Sequence, residues 1–232
     1  SPGSGKTLVY VVRIANLILN HDVKPENILA LTFSRASARD MEDRFLKLFG
    51  EIIDSHVHFS TIHSFALQIV SDYESKKGFY STIIEGEEAP ISKIKILKDI
   101  YLKINEENIT EEKVEELTNT IGFVKNMMLE PSDEKEINKY QFQIDNFISI
   151  YKEYEEYKKQ NNYIDYDDML VKALKILREE PDILHYYRSK YAHILLDEGQ
   201  DTSKVQYEII KLLAKPLNNI FLVGDDDQSI YQ

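Results

Sequence analysis

The chain has no cysteine in its 232 residues, which excludes disulfides and thiolate metal sites and is what a cytoplasmic protein would show. It has no apolar run of about eighteen residues and no charged-then-apolar leader, so neither a membrane span nor a signal peptide is visible. Positive charge is also scarce. The 28 Lys and Arg stand against 40 Asp and Glu, a net charge of −12, which argues against a broad basic footprint for nucleic acid. The deficit is local, because residues 85–165 carry 19 acidic and 11 basic side chains, a net of −8 that leaves only −4 for the remainder. If nucleic acid binds, this acidic middle is not the surface that meets phosphate. Ordinary apolar content, 43%, makes disorder a poor description and allows one large domain or two small ones.

The organising stretch is His193 to Thr202, HILLDEGQDT. Its apolar run, Ile194 to Leu196, reads as a short buried parallel strand that releases Asp197 and Glu198 at its carboxyl end, where open α/β sheets bind ligands. Adjacent strand positions point to opposite faces, so the two acids have different work. One can hold a metal-bound water while the other faces a nucleophile. A strand running into an acidic turn gives the same letters, so a second motif has to decide.

That motif opens the chain. Ser1-Pro-Gly-Ser-Gly-Lys-Thr7 completes a phosphate loop, G-x-x-x-x-G-K-[ST], except for its leading residue, and the strand that normally feeds such a loop is missing; the chain is therefore expected to be an excerpt. Gly3 and Gly5 let the backbone curl around Ser4 so that amides face phosphate oxygens, and the helix after Thr7 adds its positive end. Lys6 suits the β- and γ-phosphates and Thr7 suits Mg²⁺.

Ile28 to Phe33 reads as a strand, followed by a helix capped by Ser34. Phe33, at the strand's carboxyl end, is either a platform for base stacking or a core phenylalanine. Val57 to Ser60 is another short strand; beyond it His63 either touches a nucleotide backbone or is a helix-entry histidine bonded to its neighbours. From Glu85 to Asn162 the strand signal disappears. Ile91, Ile94, Leu97, Ile100 and Ile104 recur at helical spacing, as do Val114, Leu117, Ile121 and Val124, with Thr110 and Ser132 as expected N-caps. Ile144, Phe147, Tyr151, Tyr154 and Lys158 form a further helical stripe, read as core with phenol oxygens at its rim. Asp165-Tyr-Asp-Asp168 starts a helix with an acidic first turn that its dipole favours. Asn219 to Val223 is a last buried strand; the glycine and three acids after it read either as a solvated loop or, given their expected position beside the Asp197 strand end, as a turn that offers Gln228 to a γ-phosphate.

Taken in order, SPGSGKT at Ser1, TFSRASARDMEDR at Thr32, STIHS at Ser60, DYDDML at Asp165, LLDEGQDT at Leu195 and VGDDDQSIYQ at Val223 resemble the first motor domain of the UvrD/PcrA/Rep family of superfamily 1 DNA helicases, over essentially the whole chain. The resemblance implies an α/β fold, a RecA-like parallel sheet flanked by helices in residues 1–85 and 163–232, with an all-helical subdomain inserted at 86–162. It implies ATP and Mg²⁺ as cofactors. Lys6, Thr7 and the loop residues Gly3, Ser4 and Gly5 would bind phosphates, Thr7 and Asp197 would hold Mg²⁺, and Glu198 would orient or deprotonate the attacking water. Gln228 would sense the γ-phosphate, while Gln200 and Asp201 would tie the nucleotide site to neighbouring motifs. Thr32, Phe33, Thr61 and His63 match positions in the family's single-strand-binding motifs. The implied partners are single-stranded DNA, its junctions with duplex, and a second RecA-like domain of the same polypeptide, with 3′-to-5′ polarity. Without that second domain the 232 residues should unwind nothing. Three departures stand out: Leu8 where the family often has Arg, Arg35-Ala-Ser in place of Asn-Lys-Ala, and Gly199 in place of an aromatic. A helicase-nuclease of the AddA or RecB kind shares these motifs; a non-catalytic nucleotide-binding module would not need Glu198, and a small-molecule kinase would not need Gln200 and Gln228.

Overall fold

A computed structural model describes residues 5–53, 56–199 and 202–224. The chain forms two compact units, residues 1–68 with 175–232, and residues 69–174. With elements numbered in chain order, the first unit holds a four-stranded sheet of β1 (Ile28–Thr32), β2 (His58–Thr61), β5 (His193–Leu196) and β6 (Ile220–Leu222) in the order β2-β1-β5-β6. Every pairing is parallel. Helix α2 (Arg35–Phe49) returns the chain from β1 to β2, and α10 (Lys204–Ala214) returns it from β5 to β6. All four strands therefore end on one edge of the sheet.

The five residues of β1 are all buried, so the strand shows no alternation, as expected where helices cover both faces. Ile28, Ala30 and Leu195 pack into a core with Tyr10, Val11 and Ile14 of α1 (Lys6–His21) and Met41 and Phe45 of α2. The spacing of those helical residues makes one apolar stripe on each helix. Ser34 caps α2 as the sequence suggests, its hydroxyl accepting from the Ser37 amide at 3.0 Å. Ser203 and Gln206 form a reciprocal capping box at the start of α10.

The second unit is built on α4 (Lys93–Asn105), α5 (Glu111–Asn126), α6 (Glu134–Ile137) and α7 (Phe147–Asn161). Leu97, Ile100, Leu117, Ile121, Val124, Ile150 and Tyr154 form its core. Two features were not anticipated. Strands β3 (Thr82–Ile83) and β4 (Tyr163–Ile164) pair in parallel, two residues each and too short to carry a period. With them the unit reaches beyond 86–162, so the boundaries expected at 85/86 and 162/163 fall inside it. Ser132 does not cap α6; Asp133 takes the N-cap, and its carboxylate accepts from the Glu130 amide at 2.8 Å.

The second feature is a buried ionic cluster. Lys93, Lys125 and Lys158 are each at most 4% exposed and converge on Asp165, which is fully buried. Asp165 Oδ2 accepts from Lys125 (2.9 Å), Lys158 (3.2 Å) and the Tyr154 hydroxyl (2.9 Å), and Lys93 lies 3.7 Å away. Asp168 accepts from Lys125 at 2.7 Å and from Lys158 at 2.5 Å. Asp165 and Asp168 also accept each other's backbone N–H, at 2.8 and 2.9 Å, closing a capping box at the start of α8 (Tyr166–Glu179). The acidic first turn is thus more than a dipole cap, and the Tyr154 phenol sits in the interior rather than at a rim.

Candidate functional site

Gly5 stands at the N-cap of α1 with φ 77°, the left-handed region that glycine enters without steric cost. A Cβ there meets nothing within 4 Å, so the position constrains backbone conformation, not space. Gly5→Ala should cost roughly 1–2 kcal/mol of stability, read from urea unfolding, with no clash to enlarge it. Having no side chain, Gly5 leaves the first-turn amides open to an anion. Lys6 and Thr7 begin the helix, both half-buried.

Asp197 follows the last residue of β5. It is 8% exposed, and its amide donates to the Leu31 carbonyl of β1 at 3.0 Å. Burial first, and then the charge of Glu198, push its carboxyl above the ordinary aspartate value; a Glu198 backbone N–H and the Lys6 ammonium act in the opposite sense. The Lys6 charge therefore falls within electrostatic reach of Asp197. Glu198 adopts φ 53°, an uncommon conformation for a residue with a Cβ. Beyond it the Gly199 amide donates to Val223 at 2.9 Å, and the Val223 amide to Leu196 at 2.9 Å, which fastens the end of β6 beside the acidic pair. A Cβ at Gly199 would make only ordinary contacts, 3.7 Å to Leu222 and Val223, so the glycine is not demanded by space.

The other strand ends carry the remaining predicted residues. Thr32 and Thr61 pair in register. Both are buried, and their hydroxyls are used locally: Thr32 donates to the Ser34 carbonyl at 3.0 Å, and Thr61 accepts from the Ser64 amide at 3.0 Å. Phe33, one residue past β1, is 37% exposed, and His63 is half-buried in the first turn of α3 (Ile62–Lys77). The edge thus presents His63, Phe33 and the Asp197–Glu198 pair in the order of their strands, with neighbouring strands roughly 5 Å apart. Gly3, Ser4, Gln200, Asp201 and Gln228 lie outside the described residues. A cavity of about 280 Å³ lined by Phe45, His58, Phe59 and Tyr191 lies at the opposite, amino-terminal end of β2. There Tyr191 hydrogen-bonds His58, whose imidazole burial and then Lys190 hold below its usual pKa.

The donor set fits a magnesium nucleotide. Among the described residues no group of three His, Cys, Asp or Glu side chains could hold a metal ion. A hydroxyl on Thr7 and one carboxylate on Asp197 are what Mg²⁺ uses when phosphates and water complete its shell. Sequence reasoning missed Tyr10, which is fully buried on α1 and donates its hydroxyl to Leu195 O at 2.9 Å and Leu31 O at 3.2 Å. The available signal was a phenol inside an aliphatic stripe, since a buried hydroxyl needs a partner.

A family model described as the UvrD/REP helicase N-terminal domain matches residues 1–232. Among curated proteins, the chain is similar to the ATP-dependent DNA helicase PcrA of Staphylococcus aureus (strain Mu50) and of Staphylococcus epidermidis (strain ATCC 12228), 36% identical to each over 234 residues. Those matches cover 99% of this chain and 31% of each relative, so the chain spans about a third of their length.

Proposed function

This chain belongs to the UvrD/REP helicase family, and from that premise we propose that it is the ATP-hydrolysing motor domain of a DNA helicase that moves 3′ to 5′ along single-stranded DNA in the cytoplasm. Gly3, Ser4, Gly5 and Lys6 take the triphosphate, with the amides at the start of α1 facing its oxygens. Thr7 and Asp197 would hold Mg²⁺, which would neutralise phosphate charge. Glu198 accepts the proton of the water that attacks the γ-phosphorus, and Gln200 and Gln228 respond to loss of that phosphate. Phe33 and His63 meet the single strand. Thr32 and Thr61 shape the strand ends beneath them by their buried hydroxyl bonds. A second RecA-like domain completes the site, and single-strand/duplex junctions are the substrate.

The observation that supports this reading is the common edge: one turn after Lys6 the Tyr10 hydroxyl bonds the Leu31 and Leu195 carbonyls, Asp197 follows the end of β5 and bonds Leu31 O, and one strand away Phe33 is 37% exposed. Steady-state ATP hydrolysis by the intact protein, with Mg²⁺ and with or without single-stranded oligonucleotide, tests it. A turnover rate indifferent to DNA would end the helicase reading. Phe33→Ala should weaken single-strand affinity by about 1–3 kcal/mol. Because stacking neutralises no phosphate, the slope of log K against log salt should stay unchanged; a flatter slope would assign Phe33 some other contact.

A further inference from the structure

Tyr10 lies one turn after Lys6 and three residues after Thr7, on the face of α1 that meets the sheet. Its single hydroxyl proton is shared between carbonyls of two adjacent strands, Leu31 O at 3.2 Å and Leu195 O at 2.9 Å. Leu31 O is also the acceptor for the Asp197 amide at 3.0 Å. One oxygen therefore joins the helix that bears Lys6 and Thr7 to the backbone of the acid. Both carbonyls belong to residues just before functional positions, Leu31 before Thr32 and Phe33, Leu195 two before Asp197. The shared bond is buried beneath the site, where water does not compete for it.

We propose that Tyr10 is a positioning residue for the magnesium–nucleotide site: its hydroxyl sets the height of α1 over β1 and β5, and with it the separation of Thr7 from Asp197. The proposal rests on the reading of the site given above. A phenylalanine would fill the same volume and pack on the same aliphatic neighbours, so the hydroxyl serves the junction and not the core. Phosphate contacts made by α1 alone need no such registration, whereas a cation touched from both helix and strand does.

The test compares the intact wild-type protein with Tyr10→Phe and with Ile14→Val, a fully buried change on the same helix face that removes no polar bond. Binding of a fluorescent ADP analogue is measured in Mg²⁺ and in EDTA, and amide exchange is followed at Asp197. Tyr10→Phe should leave affinity in EDTA within about twofold, reduce the Mg²⁺-dependent gain about three- to tenfold, and speed exchange at Asp197 by a similar factor. Ile14→Val should lower the unfolding temperature yet leave the Mg²⁺ gain and Asp197 exchange unchanged. A Tyr10→Phe protein equal to wild type in both readouts, or an Ile14→Val protein shifted as much, would overturn the role of Tyr10. A wild-type protein with no Mg²⁺-dependent gain would instead overturn the reading of the site itself, and Tyr10 with it.

Discussion

Glu198→Gln in the intact protein should leave ATP affinity close to wild type and lower kcat by about 10²–10⁴-fold, the usual contribution of a general base. The substitution keeps the size and shape of the side chain and removes its capacity to take a proton. Lys6, Thr7 and Asp197 remain, so the ground-state contacts with phosphate and cation are kept. Rapid-quench measurement of a single turnover, beside equilibrium binding of ATP, separates the two effects. If the chemical step keeps its rate, Glu198 is not the base; if binding collapses along with it, the residue holds the nucleotide instead. The backbone supplies an independent control. Glu198 sits at φ 53°, where a Cβ costs roughly 1–2 kcal/mol. Glycine there would relieve that strain while loosening the unfolded chain, so stability should change by less than about 1 kcal/mol. Activity should still be lost. A position where the strained residue is needed for turnover and dispensable for folding is held by chemistry.

The second large effect belongs to the other unit. Asp165→Asn should destabilise residues 69–174 by about 3–5 kcal/mol, the cost of removing one member of a buried ion pair and stranding its partners. Burial alone would raise the Asp165 carboxyl, but Lys125, Lys158 and Lys93 together hold it well below the usual carboxylate range. A carboxyl depressed on folding stabilises the fold above its unfolded pKa, near 3.9, and that contribution is lost as pH falls through the lower folded value. Acid unfolding of this unit should therefore steepen below about pH 4 in the wild type. The asparagine variant should lack that component. Urea unfolding with amide exchange followed across residues 85–168 distinguishes loss here from loss elsewhere. A change under about 1 kcal/mol would mean that the three ammonium groups find other acceptors.

The strands were legible where burial on both faces produced unbroken apolar runs, at Ile28–Thr32 and His193–Leu196, within a residue or two of the limits expected, whereas β6, expected buried, lies at the end of the strand order with Ile220 36% and Leu222 57% exposed. That Phe33 and Asp197 share an edge follows from the parallel pairing of β1 with β5, which the alternation of strand and helix already required. What escaped notice was polar chemistry in apolar places. Lys158, four residues after Tyr154, joins a stripe by its spacing, and Lys125, four after Ile121, falls on another, but neither position announces the carboxylates that let its charge be buried. Tyr10 escaped for the same reason, since spacing reports which face is buried and says nothing of where a hydroxyl finds its acceptor. The pairing of β3 with β4 is held by partners some eighty residues apart in the chain, and local pattern cannot announce it.

The concealment of those lysines alters what an approaching polyanion meets. Three of the eleven basic side chains between residues 85 and 165 are withdrawn from solvent, against one fully hidden acid, so the groups that this stretch offers for direct contact are more acidic than its letters imply. A phosphate chain brought against it should find few ammonium groups to pair with and should be repelled. Raising the ionic strength, which elsewhere loosens the grip of protein on DNA, here lowers a barrier instead.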